Sequence, residues 1–372
     1  MSRFTWHVAT VGGIPIYIHW SFWLLFIWIA ISSFFSPDFS WAFLMWRLLL
    51  LGGLVLSVIL HELGHAFAAR AFHIPTRDIT MYPFGGVASL IRIPEKPLQE
   101  LIVALAGPAV NVLLVGLFGG IIWLSYPAFT LSLEFLAYRG DSLPSVEVWL
   151  YSLAFMNGVL AAFNLMPAFP MDGGRVLRAL LATRLSYIQA TRIAALVGQG
   201  FAILFILIGV YGNPVLILVG FFVFVAASQE RQYAEQRSAM QGYTVMDAVM
   251  KDFPVLSVSQ TLHEAIRALL GSQARSFLVV DPLGQPAGSL SREQIIEALN
   301  EGKSSTTSLV QVMDPGLLTV PPSLPLHEGF RMLQESHKPF LVVTQNGHVI
   351  GIVDSENIAE FLLVSQAISS TR

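Results

Sequence analysis

Up to about residue 230 the chain is a series of long apolar stretches, and beyond it apolar and polar positions intermix as in a soluble domain. The stretches run roughly Ile16–Phe35, Phe43–Phe72, Leu101–Tyr126, Val148–Leu165, Ile193–Tyr211 and Pro214–Ala227. A bilayer core takes about 20 consecutive apolar residues per helix, so the pattern predicts about six transmembrane helices. A separate short helix is expected around Arg175–Leu185. No early small-residue cleavage site follows the first stretch, so it reads as a retained helix and not a signal peptide.

Between Thr76 and Pro94 the pattern is neither a span nor a simple polar loop. Two strand-like runs flank Gly85-Gly86, which predicts a β-hairpin beside the second helix. An apolar hairpin there reads as a re-entrant edge, tolerated at depth only where protein or a water-filled cavity covers it.

The polar tail repeats itself. Val249-Met250 returns as Val312-Met313, the Phe277–Val280 run as Phe340–Val343, Gly288 as Gly351, and Leu262-His263-Glu264 as Leu326-His327-Glu328. Each unit reads strand, helix, two strands, helix, and neither buries its apolar face alone, so the two should stack. The expected organisation is a membrane domain over 1–230, a linker over 231–242, and repeats over 243–302 and 303–372. The fold class is therefore a polytopic α-helical membrane domain with a re-entrant β-hairpin, followed by an α/β tandem repeat.

Composition sharpens this. Of 372 residues, 12% are charged and 54% hydrophobic, against about a quarter charged in soluble domains. The net charge of −3 argues against nucleic acid as a partner. With no cysteine, disulfides and sulfur-ligated metals are excluded. Arg70, Arg77, Arg92 and Lys96 lie between the second and third stretches, and Arg175, Arg178, Arg184 and Arg192 between the fourth and fifth. The loop between the third and fourth carries Glu134, Asp141 and Glu147 against Arg139. The positive-inside rule then makes the basic loops, both termini and the tail cytoplasmic.

The second stretch contains His61-Glu62-Leu63-Gly64-His65. On a helix, positions i and i+4 face the same way, so both imidazoles can reach one ion, and the adjacent Glu62 can take a proton from its water. Thirteen uncharged residues, Leu48–Leu60, precede the motif, and ionisable groups at such depth are costly unless a function or partner holds them. The alternative is a helix end whose His and Glu reach the cytoplasmic surface, which does not call for i, i+4 spacing. A catalytic zinc takes three protein ligands and an open position. Asp172 is the candidate third ligand, just beyond the fourth stretch in Asn164-Leu-Met-Pro167-Ala-Phe-Pro170-Met-Asp172-Gly-Gly174. Its alternative role is a helix N-cap before Gly173-Gly174-Arg175.

Together these motifs resemble the site-2 proteases, intramembrane zinc metalloproteases, in the branch with a C-terminal pair of cystathionine-β-synthase (CBS) domains. The resemblance rests on His61–His65, on Asn164–Gly173, on the Gly85-Gly86 hairpin and on Ala106-Gly107-Pro108 to Asn111. Met171 stands where the family more often has Leu. The absence of targeting signals suits a prokaryotic inner membrane, with an organelle the alternative. The resemblance implies an enzyme holding one Zn2+ on His61, His65 and Asp172. It implies that zinc-bound water is activated by Glu62 for hydrolysis within or near the transmembrane segments of single-span proteins, as in regulated intramembrane proteolysis. It gives Asn164 the oxyanion-donor role, against which stands a core Asn satisfying broken backbone near Pro167. Asn111 reads as a packing or hairpin-bracing residue, and His19 as interfacial structure or catalysis. An extended substrate strand paired beside Phe84, Gly85, Gly86 and Val87 would expose carbonyls that a helix conceals.

CBS pairs often bind adenine nucleotides through an Asp, but here Gln294 and Asn357 stand at that position of the two copies. The pair also offers a surface for a homodimer. The alternatives to a protease are a CBS-gated transporter or channel, and an inactive relative that only binds membrane helices. Between a protease and a transporter or channel, only the protease needs HExxH spacing with a Glu that is not a ligand.

Overall fold

The computed structural model describes residues 4–37, 39–83, 85–90, 96–126 and 145–370. The chain divides into two compact units, Met1–Ala234 and Glu235–Arg372.

The first unit opens with a hairpin, β1 (Thr5–Val11) and β2 (Ile14–His19). Its turn is Gly12-Gly13, both at positive φ, the backbone that two-residue hairpin turns require. β2 pairs in parallel with β3 (Thr76–Tyr82), and β3 antiparallel with β4 (Gly85–Leu90), giving a four-stranded sheet in the order β1-β2-β3-β4. Met81 lies opposite Gly86 and Tyr82 opposite Gly85, so the expected hairpin is present. Phe84 lies outside the described residues, as do Arg92, Glu134, Arg139 and Asp141.

The first apolar stretch is not one helix. Residues 14–19 form β2, Trp20–Phe22 a single 3-10 turn, and α1 covers only Trp23–Phe34. Twelve residues at 1.5 Å each make about 18 Å, short of a hydrocarbon core of about 30 Å. The cause is visible in the residues: Ile14, Ile16 and Ile18 alternate with Pro15 and Tyr17. That period of two, with β-branched side chains, suits a pleated strand.

Among the described residues, five helices are long and apolar enough to cross a membrane: α2 (Trp41–Ala71), α3 (Pro97–Ser125), α4 (Val146–Asn164), α6 (Tyr187–Tyr211) and α7 (Val215–Ala239). Apolar side chains such as Leu113, Trp123 and Leu218 stand exposed on them, as lipid-facing residues do. The unit is thus an integral, multi-pass membrane domain. The short α5 (Asp172–Ala182) lies between α4 and α6. Ser40 caps α2, its Oγ accepting from the Phe43 N–H at 3.0 Å. The sheet packs on the middle of α2: Ile14, Ile16, Ile79 and Met81 are buried against Leu63 and Ala66. This sets β4 beside the turn of α2 that carries the HExxH motif.

The second unit has the expected repeat. β5 (Val255–Ser257), α8 (Leu262–Gly271), β6 (Ser276–Val280), β7 (Pro286–Ser291) and α9 (Arg292–Asn300) are followed by β8 (Thr319–Val320), α10 (Leu326–Ser336), β9 (Leu341–Gln345), β10 (His348–Val353) and α11 (Ser355–Ser370). Each copy forms a three-stranded sheet with one parallel and one antiparallel pairing. Paired bridges, Met250 with Ile352 and Ser289 with Asp314, join the copies in a near-twofold manner. Leu278 from one copy and Phe340, Val342 and Ile352 from the other share a buried core. Neither copy could close that core alone, which is why the repeat is a pair.

Gln294 and Asn357 are both engaged in helix starts. The Ser291 N–H donates to Gln294 Oε1 at 2.7 Å, and the Asn357 N–H to Asp354 Oδ1 at 2.7 Å.

Candidate metal centre

His61 and His65 lie one turn apart on α2, both buried. Their Nε2 atoms are 3.1 Å apart, and Asp172 Oδ2 lies 3.2 Å from each. Among the described residues these three form the group of His and carboxylate side chains able to share one ion. Asp172 is the first residue of α5 and Met171 is its N-cap, so the carboxylate is turned to the imidazoles and does not cap the helix.

The outer nitrogens decide what the inner ones offer. His61 Nδ1–H donates to Asn111 Oδ1, and His65 Nδ1–H donates to the Val103 carbonyl at 2.7 Å. A neutral imidazole that donates from Nδ1 presents a lone pair at Nε2. Two such lone pairs and a carboxylate oxygen converge with no donor among them, an arrangement that a cation satisfies. Zinc bonds of about 2.0 Å in a tetrahedron separate ligand atoms by about 3.3 Å, close to the observed spacing. The donor set of two imidazoles and a carboxylate, three of the four positions of a tetrahedron, therefore fits a catalytic zinc.

Five glycines make the close approaches around the site. A Cβ at Gly107 of α3 would collide with Nε2 of both His61 and His65, so the bare backbone there lines the ion position. A Cβ at Gly64 would lie 2.8 Å from the Ala106 carbonyl oxygen, which explains the small residue inside the motif. A Cβ at Gly86 of β4 would lie 2.6 Å from Glu62 Cγ. Glu62 is thus half-buried, with the β4 backbone against its side chain and His61 and His65 on its own helix. Gly173 and Gly174 pack without a Cβ on the backbone of Leu165–Phe169, closing the turn that delivers Asp172.

Behind His61 runs a hydrogen-bonded line. Asn111 Nδ2 donates to Asn157 Oδ1 at 2.8 Å, Asn157 Nδ2 donates to Ser57 Oγ at 3.0 Å, and Ser57 Oγ donates to the Gly53 carbonyl at 2.9 Å. Each Asn accepts with its oxygen and donates with its nitrogen, so one orientation satisfies the whole line. Asn111, read from sequence as packing or bracing, accepts from His61 Nδ1 and orients that ring. Asn157 and Ser57 were not anticipated. Their signal was an amide and a hydroxyl inside otherwise apolar spans, where polar groups need partners.

The structure brings His61, His65 and Asp172 together, sets Glu62 beside them, and places Gly86 on Glu62. Gly85 and Val87 flank Gly86 on β4, with Val87 exposed. Asn164 is the last residue of α4, half-buried at the head of the Asp172 loop, and the bonds that orient His61 run through Asn111 instead. His19 sits at the end of β2, its Nδ1 3.3 Å from the Ser21 N–H and its ring 5.1 Å from that of Tyr82.

The profile of peptidase family M50 matches residues 49–208, and that of the CBS domain matches 245–301 and 309–364. A zinc metalloprotease of Methanocaldococcus jannaschii is 32% identical over 73% of this chain and 74% of its own length. A candidate zinc metalloprotease of Synechocystis is 32% identical over 97% of this chain and 96% of its own. The solved site-2 protease from M. jannaschii is 34% identical, covering 61% of this chain and 95% of that one with a TM-score of 0.44. The two zinc metalloprotease relatives replace the transporter alternative with a hydrolase, and the chain belongs to peptidase family M50, as a zinc metalloprotease with a C-terminal CBS pair.

Proposed function

We propose that this metalloprotease hydrolyses peptide bonds within or near the transmembrane segments of single-span membrane proteins. The observation that carries the reading is the placement of His61, His65 and Glu62 on a membrane-length helix, with the β4 strand packed against Glu62. β4 ends the order of the sheet, so its outer side is an edge to which an extended substrate segment can add by backbone hydrogen bonds. Pairing there draws the substrate out of its helix and sets a carbonyl beside the ligand group. Val87 is exposed on that strand and contacts the incoming side chains.

Zinc, when bound by His61, His65 and Asp172, supplies Lewis acidity and makes water nucleophilic near neutral pH. Glu62 accepts the proton of the attacking water and returns it to the leaving amine. Gly107, with no side chain, leaves room for the ion against the α3 backbone, and Asn111 and the Val103 carbonyl keep both rings in the metal-binding tautomer. Asn164, at the head of the Asp172 loop, is the donor we assign to the developing oxyanion.

Topology supports a cytoplasmic tail. If the end of α2 at Arg70 is cytoplasmic, alternation through α3, α4, α6 and α7 brings Arg231 and Arg237 to the same side.

The test is co-expression with tagged single-span reporters, comparing wild type with Glu62→Gln. Gln keeps the shape and spares the ligands while removing the base. A fragment with wild type and none with the variant is expected. Equal fragments from both would overturn the role of Glu62.

A further inference from the structure

Six residues beyond Asp172, Arg178 is 3% exposed, inside a membrane unit. Its Nε donates to Glu100 Oε1 at 2.8 Å, its Nη2 donates to the same oxygen, and its Nη1 donates to Glu230 Oε2 at 3.2 Å. Its guanidinium lies 5.0 Å from the ring of Phe169 and 5.0 Å from that of Tyr187. One cation therefore joins α5 to α3, α6 and α7, and to the loop that delivers Asp172.

The partners matter because of what else they carry. Glu100, Val103, Gly107 and Asn111 are all buried along one stretch of α3. Glu100 binds Arg178, the Val103 carbonyl orients His65, Gly107 keeps the space beside both Nε2 atoms free of a side chain, and Asn111 orients His61. α3 thus holds the two imidazoles, and α5 holds the carboxylate. The Arg178–Glu100 pair is the charged bond between these two helices, and Phe169, beneath the guanidinium, belongs to the loop before Asp172.

A buried ion pair is a poor source of stability. Its desolvation cancels much of its Coulomb energy, and well-packed apolar replacements are often neutral or better. What a planar guanidinium does supply is direction, since its fixed fork holds a carboxylate at a defined angle while its faces stack on rings. We propose that Arg178 is a positioning residue for the metal ligand Asp172, bolting α5 to α3 through Glu100 so that Oδ2 meets the two imidazole nitrogens at ion-binding distance. The inference rests on the zinc-ligand reading of Asp172 and goes beyond it.

The test uses purified full-length protein and measures zinc affinity by chelator competition, with the absorption of the Co2+-substituted protein as a second readout. The variants are Arg178→Lys, the apolar pair Arg178→Met/Glu100→Leu, and Asp172→Ala. The apolar pair should keep its helix content and thermal midpoint yet bind zinc about tenfold to a hundredfold more weakly, with an altered Co2+ spectrum. Arg178→Lys, which keeps the charge and loses the fork, should fall between this variant and wild type. Zinc affinity within about twofold of wild type in the folded apolar pair, alongside a large loss in Asp172→Ala, would overturn the positioning role. Unchanged affinity in Asp172→Ala would instead overturn the ligand reading on which it rests. Should the apolar pair fail to fold, Arg178→Lys carries the same comparison alone.

Discussion

Asn111 Oδ1 accepts the proton on His61 Nδ1, and that contact decides which nitrogen of His61 faces Asp172. The amide is itself oriented from behind, through Asn157 and Ser57. Asn111→Leu removes the acceptor and leaves His61 free to flip or change tautomer. Zinc affinity should fall about tenfold to a hundredfold, the usual cost of losing such a partner. Asn157→Leu should lower it less, because Asn111 keeps its contact with His61. Chelator competition on the purified variants measures both. Equal losses from the two would show that the line acts as one unit.

Gly107 has no room for a methyl group, since its Cβ would occupy the space between the two Nε2 atoms. In a helix interior, Gly→Ala ordinarily stabilises by about 1 kcal/mol. Gly107→Ala should therefore leave helix content intact while abolishing stoichiometric zinc. Gly116→Ala on the same helix, where nothing lies within 4 Å, is the control and should retain the metal. Metal analysis of the two purified proteins gives the answer. Full zinc in Gly107→Ala would mean that the ion sits away from that backbone.

These two residues also show where sequence reading succeeds and where it stops. The spacing of His61 and His65 reports a shared helix face directly, and Asp172 announces itself as a carboxylate in a proline-broken, glycine-rich turn between apolar segments. Local chemistry was enough in both cases. Ile14, Ile16 and Ile18 misled because a hydropathy sum treats an alternating run and a continuous one alike, although only the second is a span. Asn157 and Ser57 are 100 positions apart in the chain and meet only through the packing of α2 on α4. Arg178 counted toward loop charge, whereas the fold folds it inward onto Glu100, a pairing that nothing near it in sequence announces.

In the second unit, Asp314 accepts from Lys338 Nζ and, at 2.8 Å, from the Gly316 N–H. The Lys338 bond and then the backbone bond hold its carboxyl below the usual carboxylate range. An unfolded Asp titrates near 3.9. A group depressed on folding contributes stability that is full above the unfolded value and is lost as pH falls through the folded one. Wild type should therefore have a higher thermal midpoint than Asp314→Asn near neutral pH, with the gap closing below about pH 4. The carboxylate is partly exposed, so salt should narrow the gap as well. A gap that ignores both pH and salt would assign the effect to packing instead.

Gly86 separates catalysis from metal binding. It touches Glu62 and not the ligand nitrogens, so Gly86→Ala should push β4 away from the base while leaving His61, His65 and Asp172 in place. The expected result is full zinc content with reporter cleavage reduced about tenfold or more, since an error of about 1 Å in placing a substrate can cost a hundredfold in rate. Val87→Lys, on the exposed side of the same strand, tests the other half of the relationship. It leaves the Glu62 contact alone and sets a charge where an apolar substrate segment would lie. If β4 aligns the substrate, both variants lose cleavage with zinc retained, and Val87→Lys does so mainly for substrates that are apolar at that point. If the strand only covers Glu62, Gly86→Ala loses activity and Val87→Lys cleaves as wild type does. Scoring both variants against the same panel of single-span reporters separates a strand that reads the substrate from one that only shelters the base.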